Sequence, residues 1–241
     1  MARITRKELK KDEFAQEVSK TYEFIQVHKD QLALLALVVA AVLLAALGGY
    51  LLLEKRLANA NDALSRALRT YHAPVREGAV ATPDEEKSFA TSKDKYSEAL
   101  KEFRAIAEKY SRLKPGRISR YYVGLCQANL GNLAEAQREW NAVIQDSDAD
   151  LAALSRLALA DAQARAGKAA EAEKLYRSLA DHPTSSVPKA TAQLALAELL
   201  RASKPSEAEK IYREIEKQNP ESTAAVQARQ GLEQLKPLAS P

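Results

Sequence analysis

RISRYYVGLCQANLGNLAEAQREWNAVIQD, residues 117–146, reads as two helices joined by a turn at Gly131 and Asn132. In its second half Ala136, Trp140 and Val143 are spaced by four and then three residues, which puts all three on one helical face. The small alanine lets a neighbouring helix approach closely, and the aromatic ring fills the space beside it. The triplet occurs three more times, as Ala99, Phe103 and Ile106, as Ala172, Tyr176 and Leu179, and as Ala208, Tyr212 and Ile215. From one alanine to the next (99, 136, 172, 208) the steps are 37, 36 and 36 residues. A packing pattern repeated at this period predicts stacked helix pairs. An aromatic residue at helical spacing is core far more often than ligand site, so these twelve residues are expected to pack and carry no chemistry.

Outward from this stretch, helices are expected over 117–130, 151–166 and 189–202, each leading into its triplet helix through a short turn. The turns are Gly131 and Asn132, Gly167 and Lys168, and Ser203, Lys204 and Pro205. Glycine suits the left-handed position that ends a helix, and proline the first turn of the next. Between pairs stand Pro115 and Gly116, Asp146 to Asp148, Pro183 to Ser186, and Asn219 with Pro220, all turn material. Ala225, Ala228, Leu232 and Leu235 at helical spacing predict a last helix that caps the open end.

Towards the N-terminus the decisive segment is LALLALVVAAVLLAALGGYLLL, residues 32–53, with no charged side chain. As a helix it spans roughly 33 Å, enough for a hydrocarbon core of roughly 30 Å. A cleaved signal peptide fits poorly, because the apolar part of such a signal is only about 7 to 15 residues long and follows a short leader. The segment therefore predicts an uncleaved single-pass anchor. Pairs of small residues four apart, such as Ala45 and Gly49, arise easily by chance in so alanine-rich a run and are not read as a docking face.

Residues 1–31 form a tail of mixed charge with Leu9, Phe14, Val18 and Ile25 as a loose apolar stripe. Its Arg3, Arg6, Lys7, Lys10, Lys11, Lys20 and Lys29 place it in the cytoplasm, although Lys55 and Arg56 directly follow the anchor. Residues 54–94 are expected to hold a first outer helix with Leu57, Leu64, Ala67, Leu68 and Tyr71 at helical period, stopped by Pro74. A loop follows over 73–92, in which Thr82, Pro83, Asp84 and Glu85 predict one helical turn. Residues 95–241 then hold the repeats. The expected fold class is all-α: one N-terminal transmembrane helix followed by a helical-repeat superhelix.

Composition narrows the function classes. A formal charge of +4 over 241 residues, with acids mixed among the bases, does not indicate nucleic-acid binding. Cys126 stands alone, and His28, His72 and His182 are far apart, so neither a disulfide nor metal-ligand spacing is present. No nucleotide-binding glycine loop, zinc-protease motif or Gly-x-Ser-x-Gly elbow occurs, and the acids at 84–86 read as a solvated helix start. The expectation is a binding protein without cofactor or metal, not an enzyme.

The paired-helix period and the small-aromatic-aliphatic spacing resemble the tetratricopeptide repeat, best over 117–146 at Gly124, Leu130, Gly131, Ala136 and Trp140. Ala160 and Leu196 stand where that family often has glycine, and Pro220 falls at its closing proline. The resemblance implies a concave surface lined by the first helix of each pair. Its candidate protein-binding residues are Tyr121, Leu125, Asn129, Asp161, Arg165, Gln193 and Arg201, with Leu154 and Leu157 read rather as packing between helices. The Lys and Asn pattern with which some members clamp a terminal carboxylate is absent.

The whole order, from basic tail and single anchor through a helix ending near His72 to divergent repeats beginning at Lys95, resembles the YfgM-like family of ancillary subunits of the bacterial Sec translocon. That resemblance implies a single-pass inner-membrane protein whose repeat domain lies in the periplasm and assists unfolded exported proteins. Its implied partners are the Sec translocon and a membrane-anchored periplasmic isomerase chaperone. The competing readings are a tethered scaffold for envelope or division complexes, and a cytoplasm-facing adaptor.

Overall fold

A computed structural model describes residues 29–76, 88–145 and 148–235. Within these the chain is helical: α1 (Lys29–His72), α2 (Ser92–Lys109), α3 (Lys114–Asn129), α4 (Leu133–Ile144), α5 (Ala149–Arg165), α6 (Ala169–Asp181), α7 (Lys189–Leu200), α8 (Pro205–Gln218) and α9 (Thr223–Leu235). The only extended pairing among the described residues is an isolated bridge between Val75 and Phe89. The chain divides into two units, Met1–Arg56 and Leu57–Pro241.

The first unit carries the apolar segment. Of its described large side chains, Leu37, Val42, Leu44, Leu47 and Leu52 are exposed. The helix over Leu37–His72 is long and apolar enough to cross a membrane. The tail at 1–28, with its apolar stripe and His28, lies outside the described residues, as do the turn expected at 82–85 and Asp146 with Ser147.

The second unit is a row of helices in which each, from α2 to α9, packs against the next. Connections this short leave consecutive helices side by side. At Gly131 and Gly167, the turns inside the second and third pairs, φ is 86° and 75°, a region where a Cβ would be strained. Elsewhere side chains cap the helices. Thr91 accepts from Asp94 N at 3.1 Å, Asp148 accepts from Leu151 N at 3.3 Å, and Ser222 accepts from Ala225 N at 3.1 Å.

All twelve residues of the repeated triplet are buried, the alanines completely. Trp140 and Phe103 are the largest fully buried side chains. Three features depart from the expected layout. Pro115 and Gly116, expected as turn material, are buried in the first turn of α3, where proline lacks only a donor that would have no helical partner. The repeats, expected from 95, open with a helix that already begins at Ser92, behind the Thr91 cap.

The third departure concerns the first triplet helix, which has a partner. Ala60, Leu64 and Ala67 at the end of α1 pack with Ala99, Phe103 and Ile106 of α2 and with Val123 and Cys126 of α3. Thr70 Oγ1 donates to Glu102 Oε1 at 3.1 Å across the same seam. The segment after Leu57 is therefore the first helix of the first pair. Paired backbone bonds close the connection, Arg76 N to Phe89 O at 2.9 Å and Phe89 N to Pro74 O at 3.1 Å.

Candidate functional site

The first helices of the second and third pairs, α3 and α5, touch each other as well as their own partners. Between them opens a cleft of about 460 Å³, within the size range of small-ligand and peptide pockets. Tyr121, Leu125, Ala128 and Asn129 of α3 form one wall, and Leu154, Leu157, Ala158, Asp161 and Arg165 of α5 the other. Trp140 of α4 lies at the base. On both α3 and α5 the lining residues recur at intervals of three and four, so each wall is a single helical face.

The base is held by one close approach. Gly124 faces the Trp140 indole, and a Cβ at that position would overlap the ring, with Cδ1 only 2.7 Å away. Without that Cβ, the indole lies against α3 and donates from Nε1 to the Tyr121 carbonyl at 3.2 Å. A fully buried indole N–H therefore has a partner.

Polar groups are distributed unevenly over the walls. Asn129 Nδ2 donates to Leu125 O at 2.8 Å, which leaves its second N–H and its carbonyl free to face the opening. Burial, and then the neighbouring Tyr122 and Asp161, push the Tyr121 phenol up to about 12. Tyr176 of α6, behind the wall, donates its hydroxyl to Asp161 Oδ1 at 2.6 Å. Burial and then this bond hold its phenol well above the ordinary tyrosine value. Both phenols stay protonated donors at neutral pH. Arg165 is exposed and makes no hydrogen bond or ion pair among the described residues.

Of the seven residues expected to bind protein, Tyr121, Leu125, Asn129, Asp161 and Arg165 thus line one cleft. Gln193 does not. It is 6 % exposed, bonds to Glu214 of α8, and has a buried Oε1 without a partner, all inside the fourth pair. Arg201 is also elsewhere, held by Glu198 at 2.7 Å and by Gln234 of α9. Leu154 and Leu157 do both jobs: they pack against the core between helices and line the cleft. Sequence reasoning missed Trp140, Ala128 and Ala158 as lining residues. Ala128 and Ala158 carry no chemical signal, and Trp140 was assigned wholly to packing.

A second opening of about 360 Å³ lies between α1 and α2, bordered by Asn59, Asp62, Arg66, Lys109 and Tyr110. Among the described residues no group of His, Cys, Asp and Glu is placed to hold a metal ion. Cys126 is buried and its thiol is pushed up to about 12 by that burial, which makes it a core atom without nucleophilic character. Compared with protein-family models, curated proteins and solved structures, the chain matches none, so the functional reading rests on the chemistry of the cleft and the anchor.

Proposed function

We propose that the chain is a membrane-anchored, tetratricopeptide-like protein whose repeat domain, in the periplasm, binds extended segments of exported proteins beside the Sec translocon. The observation that carries the binding half of this reading is the cleft between α3 and α5. It joins an apolar bed of leucines and alanines to hydrogen-bonding groups at its rim, a combination that suits a chain whose backbone and side chains are both unsatisfied. The anchor supports tethering at a membrane, and the order of tail, anchor and divergent repeats is what points to the translocon and its isomerase partner.

The test has two arms. A photo-crosslinking residue at Leu157 in living cells is expected to trap many different exported chains in unfolded form. One folded partner in place of many would turn the reading into that of a scaffold. Protease added to spheroplasts is expected to digest the repeat domain. Protection there, with digestion in inverted vesicles, would make the protein a cytoplasm-facing adaptor.

A further inference from the structure

Residues 161 and 165 are an Asp and an Arg one helical turn apart, the arrangement that ordinarily pairs on a helix surface. Here they do not pair. Tyr176 takes the Asp161 carboxylate at 2.6 Å, and Arg165, exposed on the cleft wall, is left without an ion pair among the described residues. The next pair shows the alternative. Glu198 accepts from Tyr212 at 3.2 Å through Oε2 and still reaches Arg201 at 2.7 Å through Oε1. Glu198, three residues before its arginine, serves both the tyrosine and the arginine, whereas Asp161, four residues before Arg165 and one methylene shorter, serves the tyrosine alone. The cleft therefore keeps a free guanidinium, with the Tyr121 hydroxyl and the second Asn129 N–H on the facing wall.

Resting on the binding function proposed above, we infer that the cleft selects extended segments that carry an apolar side chain with an aspartate or glutamate within a few residues of it. The apolar side chain sits on Leu125, Leu154 and Leu157, and the carboxylate meets Arg165 and Asn129. Eight residues of helix from Leu157 to Arg165 cover about 12 Å, which about four residues of extended chain also span. The reach of the arginine side chain shortens this, so a separation of two to four residues fits. A planar guanidinium takes a carboxylate through two parallel hydrogen bonds, and the partly enclosed site strengthens them relative to open water.

The experiment uses the full-length protein in detergent micelles and short fluorescent peptides carrying one leucine, with glutamate, glutamine or lysine two, three or four residues away. Fluorescence anisotropy is expected to show the glutamate peptides binding about tenfold tighter than the glutamine ones, a gap that narrows as salt is raised. Arg165→Gln should abolish that preference, and Arg165→Glu should transfer it to the lysine peptide. Asp161→Glu, by extending the carboxylate towards Arg165, should reduce it. Arg201→Gln should leave it unchanged. Equal affinity for glutamate and glutamine peptides, or a preference that survives in Arg165→Gln, would overturn the acidic selectivity while leaving peptide binding in place. Absence of binding by every peptide, in the wild type as in Leu157→Asp, would overturn the binding function and this inference with it.

Discussion

The second and third helix pairs place an aromatic residue at the same point and satisfy its polar atom in opposite ways. In the second pair Gly124 lets the Trp140 indole lie on the α3 backbone, and the ring donates to a main-chain carbonyl. In the third, Ala160 holds that place, the aromatic is Tyr176, and its hydroxyl donates to a side-chain carboxylate, Asp161. The fourth pair follows the third, with Leu196 for glycine and Tyr212 on Glu198. A missing Cβ brings the ring to the backbone. A side chain at that place goes with a phenol bonded to an acid on the facing helix. The second arrangement has a consequence that the first lacks, because an acid engaged by tyrosine is withdrawn from its neighbouring arginine.

The contrast breaks most completely by removing its larger member. Trp140→Ala empties a fully buried site and is expected to cost about 3–5 kcal/mol, read as a loss of thermal or urea stability by circular dichroism. Gly124→Val should cost about 1–3 kcal/mol by overpacking. Because Trp140 is the only tryptophan, its emission should shift to the red in that variant as the indole is displaced from α3. A tryptophan spectrum unchanged from the wild type would show that α3 yields instead of the ring.

The tyrosine side of the contrast predicts smaller effects. Tyr176→Phe keeps the packing and removes one bond to a carboxylate, a loss of about 1–2 kcal/mol. Tyr212→Phe should cost less, since its bond is longer at 3.2 Å and Glu198 keeps Arg201. Equal losses in the two variants would erase the distinction between them.

The smallest effect is electrostatic. Hydrogen bonds first from Arg177 and then from Lys204 hold the Glu173 carboxyl below its usual range. The bond from Arg177, 2.8 Å, lies within α6, and the one from Lys204, 3.0 Å, ties α6 to the turn before α8. A carboxyl whose value is lowered on folding stabilises the native state fully above its unfolded value of about 4.3, and that contribution disappears as pH falls through the folded value. Melting temperature followed from pH 6 downwards should therefore fall less steeply in Glu173→Gln than in the wild type.

Much of this architecture is legible before any coordinates. The triplet residues, the glycine turns and the apolar run are periodic signals, and periodicity reflects the geometry of a single helix, which sequence encodes directly. Five cleft residues are among those the tetratricopeptide resemblance implies, and on each helix their spacing puts them on one face. Gln193 and Arg201 satisfy that spacing equally well, yet the one is buried against Glu214 and the other is tied to Glu198 and Gln234. Contacts of that kind join residues on different helices, and no local pattern records them.

By itself, then, the sequence determined that the chain is helical, that one segment can cross a membrane, and which face of each triplet helix is buried. The tertiary structure alone decided that the end of α1 completes the first pair, that the indole rests on Gly124, and that Tyr176 takes Asp161 away from Arg165. The reason is physical. Helical periodicity is a property of neighbours in the chain, whereas the choice of partner for a ring or a charge depends on which helices the fold brings within a few ångströms.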